Sequence, residues 1–87
     1  MSEESAIKFP CEFPIKMMGR DTPEFRAIAR GLVEHHVGPV AEEAIYVNLS
    51  AKGNFVSITV TVTATSQQQL DDIYRDASAH DDVLMAL

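Results

Sequence analysis

Valine or isoleucine alternates with serine or threonine through "SAKGNFVSITVTVTAT", residues 50 to 65. Such a period of two is the signature of a half-buried strand. Val56, Ile58, Val60, Val62 and Ala64 fall on one face, and Phe55, Ser57, Thr59, Thr61 and Thr63 on the other. The same alternation predicts a strand over 13–18, with Phe13, Ile15 and Met17 on one side and Gly19 as its stop. Ile45, Val47 and Leu49 alternate with Tyr46, Asn48 and Ser50 in another, and "AKGN" reads as the turn that follows it. A last short strand is predicted in "VLMAL", 83–87.

Between these runs the period changes to that of a helix. Phe25, Ile28, Ala29, Leu32 and Val33 form an amphipathic stripe, opened by Thr22 or Asp21 as cap with Pro23 at the first position, and stopped by Gly38-Pro39. Leu70, Ile73, Tyr74 and Ala77 repeat the pattern behind Ser66 and Gln69, an S-x-x-Q capping box. The order is β-α-β-β-α-β. Right-handed crossovers then place both helices on one face of a four-stranded antiparallel sheet, an α+β ferredoxin-like sandwich with strand order 4-1-3-2. Residues 1–8, MSEESAIK, read as a flexible acidic lead-in, and 9–87 as a single domain.

With the helices on one face, nothing in the chain covers the other. Ser57, Thr59, Thr61 and Thr63 keep strand propensity while tolerating water. Met18, Tyr46, Phe55 and Leu84 are expected as an apolar fringe around them. That makes the open face, with Ser57, Thr59, Thr61, Thr63 and Tyr46, the candidate surface for a protein partner or self-association.

Charge narrows the choices. Lys and Arg number 7 against 13 Asp and Glu, a net charge of −6. No basic run exists to meet phosphates, so nucleic acid and anionic membrane are not expected as partners. Cys11 is the only cysteine, which rules out an internal disulfide and a cysteine-rich zinc site. Glu12 beside it does not activate a thiol. His35 and His36 point about 100° apart on a helix and do not converge on one ion; they read as answers to the helix dipole. His80-Asp81-Asp82 reads as a solvated turn. No nucleophile elbow, P-loop or H-E-x-x-H is present. No catalytic residue, metal or cofactor is assigned, and a cytoplasmic, non-enzymatic protein is the expectation.

"MGRDTPEF", 18–25, is a strand-to-helix junction whose backbone N–H groups face a potential anion. It resembles the D-x-P-G loop of ACT domains, which share this fold and bind amino acids there. Gly19, Arg20, Asp21 and Thr22 are therefore a second candidate site, for a small-molecule carboxylate. Glu24 stands where those domains commonly place glycine, and its charge opposes such a ligand.

"FPCEFPIKMMG" (9–19), the hairpin (50–66) and "QLDDIYRDASAHDDVLMAL" (69–87) together resemble the YbeD-like family of small bacterial proteins. The resemblance implies a βαββαβ domain similar to ACT regulatory domains and no demonstrated enzymatic activity, and it carries no functional residue over to this chain. Some relatives are encoded beside lipoate-attachment enzymes, which points to lipoate metabolism.

Overall fold

In the computed structural model, which describes residues 8–50 and 53–87, both helices start at the side chains that the sequence nominates. Thr22 Oγ1 accepts from Phe25 N–H at 3.0 Å, and Ser66 Oγ accepts from Gln69 N–H at 3.1 Å. Each satisfies one of the donors that a helix start leaves without an internal partner. Gln69 does not close the capping box on Ser66. Its Oε1 accepts from Thr65 N–H at 2.9 Å, and its Nε2 donates to the His36 carbonyl at 3.1 Å. One glutamine thus holds the entry of the second helix and the exit of the first.

The elements are β1 (Cys11–Arg20), α1 (Pro23–Val37), a 3₁₀ turn (Glu42–Ala44), β2 (Ile45–Leu49), β3 (Phe55–Ala64), α2 (Gln67–Ala79) and β4 (Met85–Ala86). The sheet order is β2-β3-β1-β4, every neighbour antiparallel. This is the expected 4-1-3-2 order, with long β1 and β3 central. Residues 1–7 of the acidic lead-in (1–8) and turn residues 51 and 52 lie outside the described residues. Gly53, the next turn residue, has φ of 73°, where a side chain is strained.

β1 differs from its expected span. It runs on through Gly19, which is buried inside the strand and does not end it. A Cβ on Gly19 would sit 2.6 Å from both the Asp82 carbonyl oxygen and Phe25 Cε1. The glycine is there because the Phe25 ring and the chain before β4 occupy that space.

The core forms where the strand and helix periods coincide. Ile15, Met17, Val56, Ile58, Val60 and Val62 meet Phe25, Ala29, Val33, Leu70, Ile73 and Ala77. Ile28 and Leu32, also on the α1 stripe, are only half-buried, so the stripe centres on the 25–29–33 row. The register confirms the face assignment, with Ile15 opposite Val60 and Met17 opposite Ile58.

Polar contacts anchor the long connection after α1. Arg30 donates through Nε to Glu34 (3.1 Å), through Nη1 to Glu42 (2.7 Å) and through Nη2 to the Val40 carbonyl (2.8 Å). Glu34 also accepts from Val40 N–H at 2.9 Å. That backbone bond, then Arg30, holds the Glu34 carboxyl below its ordinary value; Glu42 and then Glu34 raise Arg30. His36 does more than answer its helix dipole: Nε2 lies 2.6 Å from Asp76 Oδ2 and ties α1 to α2.

Candidate functional site

The open sheet face is a grid set by the register. Even-numbered β1 residues, odd-numbered β3 residues and even-numbered β2 residues share it. One row reads Met18, Ser57, Asn48; the next Lys16, Thr59, Tyr46; then Pro14, Thr61 and Glu12, Thr63. Arg20 pairs with Phe55 and places its guanidinium 5.6 Å from the ring centroid, a cation–π contact.

The hydroxyl column is not uniformly open. Thr63 is exposed, Thr59 and Thr61 are half-buried, and Ser57 is only 7% exposed. Ser57 lies in the central strand between Met18 and Asn48, and these larger side chains close over it. It was expected to face water; it is instead the floor of a shallow depression lined by Lys16, Met18, Asn48 and Phe55. Tyr46 stands free at the β2 margin, 66% exposed.

Two features of this face escaped the sequence reading. Met18 pairs with Met85, so Met85 belongs to the open-face fringe. Leu84, expected there, falls one residue out of phase and lines the cavity at the start of α1. The other feature is a line of charge: Glu12, Lys16 and Arg20, all on β1, run beside the hydroxyls. A period-two reading of β1 extended beyond 13–18 contains that signal.

The second candidate, at the strand-to-helix junction, is a cavity of about 330 Å³ lined by Arg20, Thr22, Glu24, Phe25, Asp81, Asp82 and Leu84. Two of its backbone donors are committed. Asp21 N–H donates to the Asn54 carbonyl at 3.1 Å and Thr22 N–H to the Arg20 carbonyl at 2.9 Å. The Asp21 carboxylate is paired with Arg26 at 2.9 Å, and Thr22 Oγ1 serves the helix cap. Gly19 offers no space, because Phe25 fills it. Three carboxylates against one guanidinium give this lining an acidic balance.

The remaining polar candidates are local structure. His80 Nδ1 accepts from Asp82 N–H at 3.1 Å, which closes the turn before β4. Cys11 is half-buried and free. Among the described residues no group of three His, Cys, Asp or Glu side chains is placed to hold a metal ion. No described helix is long and apolar enough to cross a membrane.

A family model described as "Protein of unknown function (DUF493)" matches residues 4–87. The chain belongs to the DUF493 family. The resemblance to YbeD-like proteins, read from the hairpin and the chain end, is borne out. A UPF0250 protein of Paraburkholderia phytofirmans is 43% identical over 84 residues, covering 97% of this chain and 94% of the relative. Another, of Chromobacterium violaceum, is 43% identical over 89 residues and matches over the full length of both. The solution structure of protein HP0495 from H. pylori superposes with a TM-score of 0.79 over 99% of this chain and 90% of that one. At 20% identity that likeness concerns the fold, and it bears out the ferredoxin-like, ACT-like architecture of this DUF493 chain.

Proposed function

We propose that this protein is a non-enzymatic, regulatory protein-binding module that docks a partner on its open sheet face. The observation that carries the reading is one face of a four-stranded sheet that neither α1 nor α2 covers. Thr59, Thr61 and Thr63 lie there, fringed by Tyr46, Phe55, Met18 and Met85. Small hydroxyls lose little rotamer entropy on docking and are covered without burying charge. The neighbouring Glu12, Lys16 and Arg20 give a partner charges against which to set its orientation. Because some YbeD-like relatives are encoded beside lipoate-attachment enzymes, those enzymes are the first partners to assay.

The test introduces lysines at both Thr59 and Thr61. Thr59→Lys places a second ammonium opposite Lys16, a surface repulsion of under about 1 kcal/mol, so the monomer stays folded by circular dichroism. Burying two ammonium groups costs several kcal/mol each, so affinity for the partner, measured by calorimetry, falls by at least tenfold. A folded double variant with native affinity moves the function off this face.

A second reading rests on the cavity at the start of α1, whose size suits a metabolite and whose Arg20 suits a carboxylate. Glu24 is its nearest obstacle on the helix. Glu24→Gly is expected to strengthen binding of a monocarboxylate such as lipoate, because it removes a repulsive charge and opens the backbone. Amide shifts on titration report it. No shifts in either protein with amino acids or lipoate at millimolar concentration would end the sensor reading.

A further inference from the structure

Among the described residues Ser57 is the only buried polar one, at 7% exposure. The register explains its burial. Lys16 exchanges backbone bonds with Leu87 at 3.0 and 2.8 Å, so even-numbered β1 residues turn their N–H and C=O toward β4. Met18 and Ser57 therefore meet as a non-hydrogen-bonded pair, the closer kind, with Cα atoms about 4.5 Å apart. Met18 on one side and Asn48 on the other then shut Ser57 in. Other hydroxyls of this face are bonded. Ser50 Oγ accepts from Phe55 N–H at 3.3 Å, and Thr63 Oγ1 donates to Glu12 at 3.4 Å. Ser57 Oγ has no partner among the described residues, and a buried hydroxyl without one is unfavourable.

The depression above Ser57 holds about 160 Å³ and is walled by Lys16, Met18, Asn48, Ser50 and Phe55. Lys16 is the only charged residue of its lining. Its ammonium makes no ion pair among the described residues. Glu12, the acid on the same face of β1, is four residues away, about 13 Å at the rise of a strand. On the opposite side of Lys16, Arg20 adds a second cation at the Phe55 ring. A chain of net charge −6 thus surrounds an unbonded hydroxyl with two cations and no carboxylate.

We infer that this depression receives the carboxylate of an aspartate or glutamate side chain presented by a protein partner. The inference rests on the open face being the docking surface, and it names what the partner brings there. A carboxylate only accepts hydrogen bonds, and the depression offers only donors that need an acceptor: the Ser57 hydroxyl, the Asn48 amide and the Lys16 ammonium. An amine or guanidinium in the same place would meet Lys16 and Arg20 with like charge. Volume decides the source of the carboxylate. Pockets for free metabolites measure roughly 300–1,000 Å³ and bury most of the ligand. A space of about 160 Å³ takes one short side chain, so the rest of the ligand lies on the surface around it. That surface is apolar, with Phe55 38% and Met85 51% exposed beside Met18. The partner's acid is therefore flanked by apolar side chains, which exclude water from the charged contact.

The test titrates the whole isotope-labelled chain with a blocked leucine-glutamate-leucine tripeptide and follows amide shifts. About 0.15 M salt screens non-specific attraction beyond about 8 Å. The signals of Lys16, Asn48 and Ser57 are expected to move. Affinity is expected to be at least tenfold above that of the tripeptide with glutamine at its centre, and above that of acetate. Lys16→Gln and Ser57→Ala are each expected to weaken the glutamate tripeptide at least threefold. Ser57→Ala is also expected to keep or raise the urea midpoint, because alanine buries no unbonded hydroxyl. A lowered midpoint with unchanged affinity assigns Ser57 to packing and overturns the inference. Equal affinity for the glutamate and glutamine tripeptides, or an unmoved Ser57 signal, overturns it as well. Acetate binding as tightly as the tripeptide overturns the protein side chain as the source and assigns a free carboxylate. Should lysines at Thr59 and Thr61 abolish partner binding while the tripeptide leaves Ser57 unmoved, the open face remains the docking surface and only the carboxylate inference falls.

Discussion

Gly19→Ala is expected to destabilise the protein by roughly 1–3 kcal/mol, toward the upper end of the usual cost of overpacking. The new methyl would lie 2.6 Å from the Asp82 carbonyl oxygen and from Phe25 Cε1, and 2.8 Å from Phe25 Cζ. Ordinary carbon contacts start near 3.5 Å. The ring cannot retreat, because Phe25 is 1% exposed and is the largest of the fully buried side chains. The carbonyl belongs to the chain entering β4, where Leu84 N–H bonds to the Met18 carbonyl at 2.8 Å. Relief therefore comes by loosening α1 or lifting β4. In a domain of this size each kcal/mol lowers the melting temperature by about 4–8 °C. Thermal unfolding of Gly19→Ala, Phe25→Leu and the double variant completes the test. Phe25→Leu makes room, so the double variant should lose at least 0.5 kcal/mol less than the sum of the singles. A Gly19→Ala protein within about 0.5 kcal/mol of the native one would mean that the Phe25 ring does not sit over this strand.

Val60→Ala is the second large effect, at about 1–3 kcal/mol, from lost methyl transfer energy and the cavity left behind. Val60 is fully buried, pairs with Ile15 on one side and Ile45 on the other, and lies at the middle of the central strand. Collapse around the missing methyls is limited because both flanking strands are held by ladders. Thr61, one residue on, faces the open side and is half-buried. Thr61→Ala should cost well under 1 kcal/mol. Urea unfolding of the pair reads the register directly. The reverse ranking would mean a one-residue slip of β3, which turns every face assignment over, the hydroxyl face included.

Where a signal was local, the sequence carried it. The period of two in β1, β2 and β3, the period near 3.6 in α1 and α2, and the caps at Thr22 and Ser66 each lie within one element, so element order, strand order and the helix-covered face were all legible. Strand ends were less so. Gly19 reads as a stop by its own propensity, yet it is buried in β1 because Phe25 and Asp82, six and sixty-three residues away, need its missing side chain. Leu84 is expected on the open-face fringe, but Met85 stands there, opposite Met18, because a two-residue strand has no periodicity with which to set its phase.

Burial on the open face required neighbours. Ser57 and Thr63 are alike in the alternation, but only Ser57 has Met18 and Asn48 closing over it. The links of Arg30 to Glu42, His36 to Asp76 and Gln69 to the His36 carbonyl join elements that no spacing rule relates. Propensity and periodicity act over a few residues and are therefore written in order along the chain; contact between distant residues depends on packing in three dimensions, and only the folded structure decides it.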